Sequence, residues 1–453
     1  MNSIKINGKA SNINKILLSL FLKGVSIVKP NKILKDYVKV KNKDLIITDN
    51  KKIVSYKNPK KIFPICIGKA STETAESLNN IFENKKIKLS KGIVVVNQEN
   101  YKEIKNFKNF ISSHPLPNQK GIEASKSIIQ YLKKTDENDL ILVFISGGGS
   151  SLLPLPSDGL SLKNKIDINK KLLESGANID EINCVRKHLS KIKGGNFLKF
   201  CYPSKVHSLI LSDVVGDDLS SISSGLTVPD PSTFVDAKNI LIKYGLWKKI
   251  PKKISNHLLG GINSEKLETP KAGNKIFEKS KNTLIGSNCK SLDEIKRRCI
   301  DKKLMAKIWK KNIEGDVKKV ALNFIKDLKI LKYKVPTVLI SGGETTVKIN
   351  GNGLGGRNQE FALHFINFAH KYLPNLKFIL LSAGTDGRDG PTDAAGAIVN
   401  HNSFNEIKKK GVNLSEELLN NNSYNVLKLI NSLVIINGTN TNVADIQLLT
   451  ILG

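Results

Sequence analysis

The sequence predicts an α/β protein of two domains, each an open, mostly parallel sheet flanked by helices. Three observations predict it. Short runs rich in Ile, Val and Leu recur along the chain, at Ile62–Ile67, Gly92–Val96, Leu140–Ser146, Val206–Ser212, Val335–Ser341, Lys377–Ser382 and Leu433–Asn437. The segments between them are long enough for crossover helices. Several of the runs pass directly into Gly, Ser or Asp. Near-continuous apolar strands are buried on both faces, which happens when helices cover a sheet from both sides. A chain of 453 residues also exceeds one ordinary domain.

Ahead of the first strand, Ile16–Leu22 is apolar and Lys23 stops it. Ile13, Leu17, Leu20, Phe21, Val25 and Val28 share one face of a helix, and no small-residue cleavage site follows. The segment reads as an amphipathic helix packed on the body rather than a secretory signal. No apolar run has the length to cross a bilayer. The 5 cysteines, Cys66, Cys184, Cys201, Cys289 and Cys299, form no Cys-x-x-Cys pair and no zinc-ligand spacing. An odd, scattered set predicts reduced thiols and a cytoplasmic protein. Cys66, inside an apolar run, reads as buried packing.

Lys and Arg number 72 against 40 Asp and Glu, for a net charge of +32. Such a balance suits polyanions or anionic substrates. The charge is spread along the whole chain, in short clusters such as Lys408-Lys409-Lys410. Aromatic residues are 6% and do not interleave with the basic runs as stacking platforms for single strands would require. No nucleic-acid partner is expected. The basic stretch from about 248 to 282 holds Pro251, Pro270 and Gly260-Gly261 and has little strand character. The expected division is therefore a first domain over 1–250, a joining region over 251–279 and a second domain over 280–453.

In doubly wound sheets ligands bind beyond the carboxyl ends of the strands, so the residues after each strand carry the functional reading. Gly68-Lys69-Ala70-Ser71 follows the first strand and sets a cation at a helix start, suited to phosphate or carboxylate. It lacks the Walker spacing. Ser146-Gly147-Gly148-Gly149-Ser150-Ser151 offers backbone amides and hydroxyls to an anion. Ser212-Asp213-Val214-Val215-Gly216-Asp217-Asp218 places three carboxylates at a strand end, able to hold Mg²⁺ or take a hydroxyl proton. In the second domain Ser341-Gly342-Gly343-Glu344-Thr345 repeats the form of the first glycine loop. Gly355-Gly356-Arg357-Asn358-Gln359-Glu360 opens a helix, where Arg357 can make a planar two-point contact with an oxyanion. The run Thr385–Gly396, with Asp386 and Asp389, is too dense in Asp and Gly for a simple turn and lacks the closing Glu of an EF-hand. Asn437–Asn442 is a polar turn. His114, between Ser113 and Pro115, reads as lining a rigid loop. No Gly-x-Ser-x-Gly elbow is present.

These loops, taken in order with His114-Pro115-Leu116-Pro117 and Ile182-Asn183-Cys184-Val185-Arg186-Lys187-His188-Leu189-Ser190, resemble the type II glycerate 2-kinases over nearly the whole chain, from about Leu22 to Leu452. The resemblance implies a Rossmann-like N-terminal domain, a MOFRL-type C-terminal domain and a site in the cleft between them. It implies that ATP and D-glycerate give ADP and 2-phosphoglycerate with Mg²⁺. It points to Lys69, an Asp of 212–218, Arg357 and Asp386 as the important charged residues. Lys69 and Arg357 would offset phosphate and carboxylate charge. Asp213 and Asp386 stand as the catalytic carboxylates, interchangeable at this stage, with Asp217 and Asp389 as Mg²⁺ ligands. Gly147, Gly148, Gly149, Ser150, Gly342, Gly343, Glu344, Gly355 and Gly356 would hold the nucleotide. The expected assembly is a monomer or homodimer.

Two departures stand out. Leu226 follows Ser224-Gly225 where the family usually has Pro. Asn437-Gly438-Thr439-Asn440-Thr441-Asn442 replaces a Pro- and Gly-containing turn, and Asn440 is the residue suited to keep it, because Asn tolerates positive φ. A related hydroxy acid is thus an alternative substrate. A hydroxypyruvate reductase is the alternative reaction, against which stands the missing Gly-x-Gly-x-x-Gly dinucleotide turn.

Overall fold

The computed structural model describes residues 5–6, 12–49, 52–87 and 89–452. They fall into two compact units, one of Pro30–Ile285 and one of Met1–Lys29 with Gly286–Gly453. This differs from the division expected at 250–280. The stretch 251–279 is part of the first of these units, with a helix over Lys252–Ile262. The N-terminal helix, Asn12–Ile27, belongs to the other. Its buried Leu17, Leu20, Phe21 and Val25 pack with Leu292 and Ile295 of the helix Asn288–Asp301. The amphipathic face expected there is real, but its partner lies far along the chain, where a boundary drawn from composition cannot find it.

The unit Pro30–Ile285 is built on a six-stranded sheet in the order Ser280–Gly286, Lys205–Leu211, Leu140–Ile145, Ile62–Ile67, Gly92–Asn97, Phe107–Ser112. The four pairings from Lys205–Leu211 to Phe107–Ser112 are parallel. The chain starts at the centre, winds outward through two strands, then crosses back to lay Leu140–Ile145 beside the first. Ile62–Ile67, Gly92–Asn97 and Leu140–Ile145 are buried throughout. Burial pushes the Cys66 thiol far above its ordinary range, in keeping with its packing role. The edge strand Phe107–Ser112 has only two buried residues, which is why its sequence carries no apolar run. A separate antiparallel meander, Val38–Lys41, Asp44–Asp49 and Lys52–Tyr56, completes the described strands of this unit.

The second unit corrects the expectation of a mostly parallel sheet. Its order is Lys5–Ile6, Leu433–Ile435, Gly396–Asn400, Phe378–Gly384, Asp445–Ile451, Thr337–Thr346, Met305–Asp316. Only Met305–Asp316 with Thr337–Thr346 is parallel, and the other described pairings are antiparallel. The sheet is mixed. Phe378–Gly384 and Asp445–Ile451 are buried along their whole length. Their apolar character therefore reports two-sided burial and says nothing of direction. Thr337–Thr346 also runs past the expected end at Ser341. Gly342, Gly343 and Glu344 lie within it, paired with Ile446 and Asp445 on one side and with Ile313 and Glu314 on the other. They do not form a loop like Gly147–Gly149. Gly343 has φ +148°, and a side chain there would collide with the Ile313 backbone.

Within the first unit, helix Ile179–His188 is tied to the segment that follows Lys252–Ile262. His188 is 1% exposed. Its ring bonds the Cys184 carbonyl at 2.8 Å and the Glu268 carboxylate at 3.0 Å. Burial opposes its charge, but these two partners outweigh burial and push the imidazole up to about 9 from 6.5. A folded-state pKa above the unfolded one gives stability that is complete below pH 6.5 and lost as pH rises through about 9. Thermal unfolding followed from pH 6 to 10 is expected to show a falling Tm, and Glu268→Gln is expected to flatten that slope.

Candidate functional site

In the first unit the crossovers leave Ile62–Ile67 and Leu140–Ile145 in opposite directions, so the loops after these strands part at the switch point of the sheet. Gly68-Lys69 leaves one and Ser146–Ser151 the other, and hydrogen bonds hold them side by side. The Lys69 amide donates to the Gly147 carbonyl at 3.0 Å. The Ala70 amide donates to Ser146 Oγ at 3.1 Å. Gly148 takes φ +84° and starts the short helical turn Gly149–Leu152. A side chain on Gly147 would fall on the Asp213 carboxylate, and one on Gly148 would meet the His114 ring and the Lys69 side chain. Lys69, His114, the glycine loop and Asp213 are thus one constellation. Burial, then the neighbouring Lys69 charge, lowers His114 to about 4, so its imidazole is neutral near pH 7. Ser150 Oγ is 2.9 Å from Ser224 Oγ. Ser223 and Ser224 carry φ of 51° and 58°, a left-handed pair leading into Gly225 and the buried Leu226. Asp217 also has positive φ, 57°, on the turn Val215–Asp217 and is partly buried. Asp218 accepts from Ser220 and Ser221 and closes that turn.

In the second unit Arg357 is the hub. Its Nε and Nη2 donate to the two oxygens of Asp445 at 2.6 and 3.0 Å, and its Nη1 lies 2.6 Å from Glu344 Oε1. Asp445 is 1% exposed. The two carboxylates outweigh burial and hold the guanidinium firmly charged. A side chain on Gly384 would meet Asp386 Oδ1 at 3.3 Å and Asp445 Oδ1 at 3.5 Å, so these two acids flank one spot. The turn 437–442 is knitted to the Asp386 loop through Thr439, whose amide donates to the Asp386 carbonyl and whose hydroxyl donates to the Thr385 carbonyl at 2.6 Å. Asn440 does adopt positive φ, 58°.

Two family models match the chain, one described as a domain of unknown function, DUF4147, over residues 16–259, and one described as the MOFRL family over 337–445. A glycerate 2-kinase of Pyrococcus horikoshii is 37% identical, with 96% of this chain and 97% of that protein aligned. A D-glycerate 2-kinase of Thermotoga maritima is 36% identical, at 96% and 97%. The chain belongs to the glycerate 2-kinase family. A crystal structure of a Pyrococcus horikoshii protein superposes with a TM-score of 0.80 at 36% identity, over 98% of this chain and 100% of that one. The glycerate kinase of Thermotoga maritima gives 0.81 at 34%, over 97% and 99%.

For this member of the glycerate 2-kinase family the structure revises several sequence readings. Arg357 was expected to offer its planar face to a ligand oxyanion. That face is taken by Asp445, an acid the sequence reading passed over. The signal available was a lone carboxylate opening a strand rich in Ile and Leu. Asp389 was expected to bind Mg²⁺. It is 2% exposed and caps the helix Arg357–Tyr372, accepting from the amides of Asn358 at 3.0 Å and Gln359 at 2.9 Å. Burial raises it to about 6, with those amides opposing the rise. Gly355 and Gly356 were expected to receive phosphate at this helix start. Asp389 packs against Gly356 and Ser423 against Gly355, leaving no room for a side chain on either. The amides of Asn350, Gly351, Asn352 and Leu354 go to the side chains of Asn420, Asn421 and Asn422. The anion at this helix start is supplied by the protein.

Asp445→Asn is expected to leave Arg357 held only by Glu344 and to cost about 3–5 kcal/mol, the usual effect of breaking a buried pair. A double-mutant cycle with Arg357→Gln, read by chemical unfolding, checks that the loss is specific to the pair.

Proposed function

We propose that this protein is a glycerate 2-kinase that transfers the terminal phosphoryl group of ATP to the C2 hydroxyl of D-glycerate, giving ADP and 2-phosphoglycerate. The observation that carries the proposal is the constellation at the switch point of the parallel sheet. There, one lysine, a glycine loop and one carboxylate converge at the carboxyl ends of two adjacent buried strands. Phosphoryl transfer asks the protein for little covalent chemistry. It needs positive charge against the phosphate oxygens, a fixed geometry and a carboxylate for the departing hydroxyl proton. Lys69 supplies the charge and the amides of Gly147–Ser150 line the phosphate path. Asp213, against Gly147, would take the proton in this reading. Asp386, partly exposed beside Asp445, is the other carboxylate suited to that role. The neutral His114 lines the loop.

Mg²⁺ would neutralise the nucleotide phosphates. Among the described residues no three His, Cys, Asp or Glu converge into an all-protein cage. That fits a cation held mainly on phosphate oxygens with one or two carboxylates, the habit of Mg²⁺ in kinases. Asp217, four residues on from Asp213, would supply such a carboxylate, whereas the capping Asp389 is engaged by the helix amides.

An ADP-release assay with ATP, Mg²⁺ and D-glycerate, with the product identified by NMR, tests the proposal. ADP with 2-phosphoglycerate is the expected result. No ADP, together with NAD(P)H-dependent reduction of hydroxypyruvate, would overturn it. Lys69→Ala and Asp386→Asn are each expected to lower kcat/KM by about 100-fold or more with the fold intact, the scale seen when one charge-stabilising group is removed. A folded Asp386→Asn protein with near-normal turnover would leave Asp213 as the base.

A further inference from the structure

Behind the Ser146–Ser151 loop, three cations act on one another, and among the described residues no ion pair joins any of them to a carboxylate. Lys165 lies on the helix Leu162–Glu174, Arg186 on the helix Ile179–His188, and Lys193 in the turn that follows. Lys165 is 8% exposed, and its ammonium nitrogen has no hydrogen-bond partner. Lys193 is 2% exposed and donates to the carbonyl and hydroxyl of Ser150 at 2.7 and 3.0 Å. Arg186 Nε donates to Asn169 Oδ1 at 2.6 Å. Burial lowers all three, and the cations depress one another. Arg186 acts on Lys165, and both act on Lys193. Four acids of these and neighbouring elements bond other cations. Asp230 bonds Lys187, Glu268 bonds His188, Glu181 bonds Lys243 and Asp158 bonds Lys191.

A buried ammonium without a counter-ion is destabilising, and proteins ordinarily pair it or replace it with an apolar side chain. Two such ammonium groups, Lys165 and Lys193, with the half-buried Arg186 guanidinium acting on both and the partly exposed Ser150 hydroxyl bonded to Lys193, form a cluster whose charged form an external anion would favour. We infer that Lys165, Arg186 and Lys193, together with Ser150, form a binding site for an oxyanion group, either the carboxylate of the hydroxy acid or a phosphoryl group of the nucleotide. The assignment of that oxyanion to a substrate rests on the kinase reading. The anion site itself does not. Lys165 is the donor most open to it, because among the described residues its ammonium has no hydrogen-bond partner.

Calorimetric titration of the full chain and of Lys165→Met, with D-glycerate, Mg²⁺-ATP and inorganic phosphate as separate probes, tests the inference. A charge-assisted hydrogen bond to a buried group is worth about 10- to 100-fold in affinity. At least a tenfold loss for D-glycerate alone would assign the site to the carboxylate. The same loss for Mg²⁺-ATP, with D-glycerate unaffected, would assign it to the phosphoryl group. The free Lys165→Met protein is also expected to melt above the wild type, because an unpaired buried charge has been removed. Lys193→Met and Arg186→Gln should weaken the same probe. Affinities within twofold of wild type for all three probes would overturn the inference and leave the kinase reading standing. Binding of phosphate alone by the wild type, lost in Lys165→Met, would keep the anion site and overturn the kinase reading. A wild type that binds none of the probes would overturn both.

Discussion

The parallel pairing of Ile62–Ile67 with Leu140–Ile145 is the constraint on which the chemistry of the first unit depends. The two strands are in register over their full length, from Ile62 opposite Leu140 to Ile67 opposite Ile145. Their carboxyl ends therefore stop at the same height. Their crossovers diverge, so the space above the ends is left to the two loops. Ser146 fastens the loops by accepting from the Ala70 amide, and Ser223 reaches the Ser146 carbonyl at 3.3 Å. Everything placed nearby, Lys69, His114, Gly147 and Asp213, inherits its position from that register. A one-residue slip would turn each buried side chain to the opposite face.

The second unit solves a different problem with similar residue types. Its glycines serve close packing and not an open cradle. Asp445, Glu344 and Asp389 surround Arg357, and the Asn420–Asn422 run occupies the amides ahead of the helix. Preorganisation of this kind costs a protein buried charge, which is tolerable only when each donor and acceptor finds a partner. Here the two-point geometry of Arg357 on Asp445 and the double amide cap on Asp389 meet that condition.

The positive charge of the chain also divides by location. Surface lysines in pairs such as Lys60 with Asp136 and Lys102 with Glu76 are exposed and contribute little to stability. The few buried cations behave differently. Lys187 is neutralised by Asp230, and Arg357 by Asp445 and Glu344. Among the described residues no carboxylate pairs with Lys165 or Lys193. Composition alone, at +32, mixes these populations, so net charge was a poor guide to where the chemistry lies.

Although the buried strands Gly396–Asn400 and Asp445–Ile451 were passed over, the strands at Ile62–Ile67, Gly92–Asn97, Leu140–Ile145, Lys205–Leu211, Thr337–Thr346, Phe378–Gly384 and Leu433–Ile435, the α/β class, the loops at Gly68-Lys69, Ser146–Ser151 and Ser212–Asp218, and the packed N-terminal helix were legible in the sequence. Each is written locally, as a run of apolar residues, a helical stripe or a turn composition. The polar edge strands Phe107–Ser112 and Met305–Asp316 were not, because half-exposed strands lack an apolar run. Strand direction in the second sheet, the pairing of Arg357 with Asp445, and the use of Asp389 as a cap were decided only by the tertiary structure. Arg357 and Asp445 are 88 residues apart in the chain. Local pattern determines which residues are buried or turning. Only the folded chain determines which charge meets which, because an ion pair is a property of two positions in space.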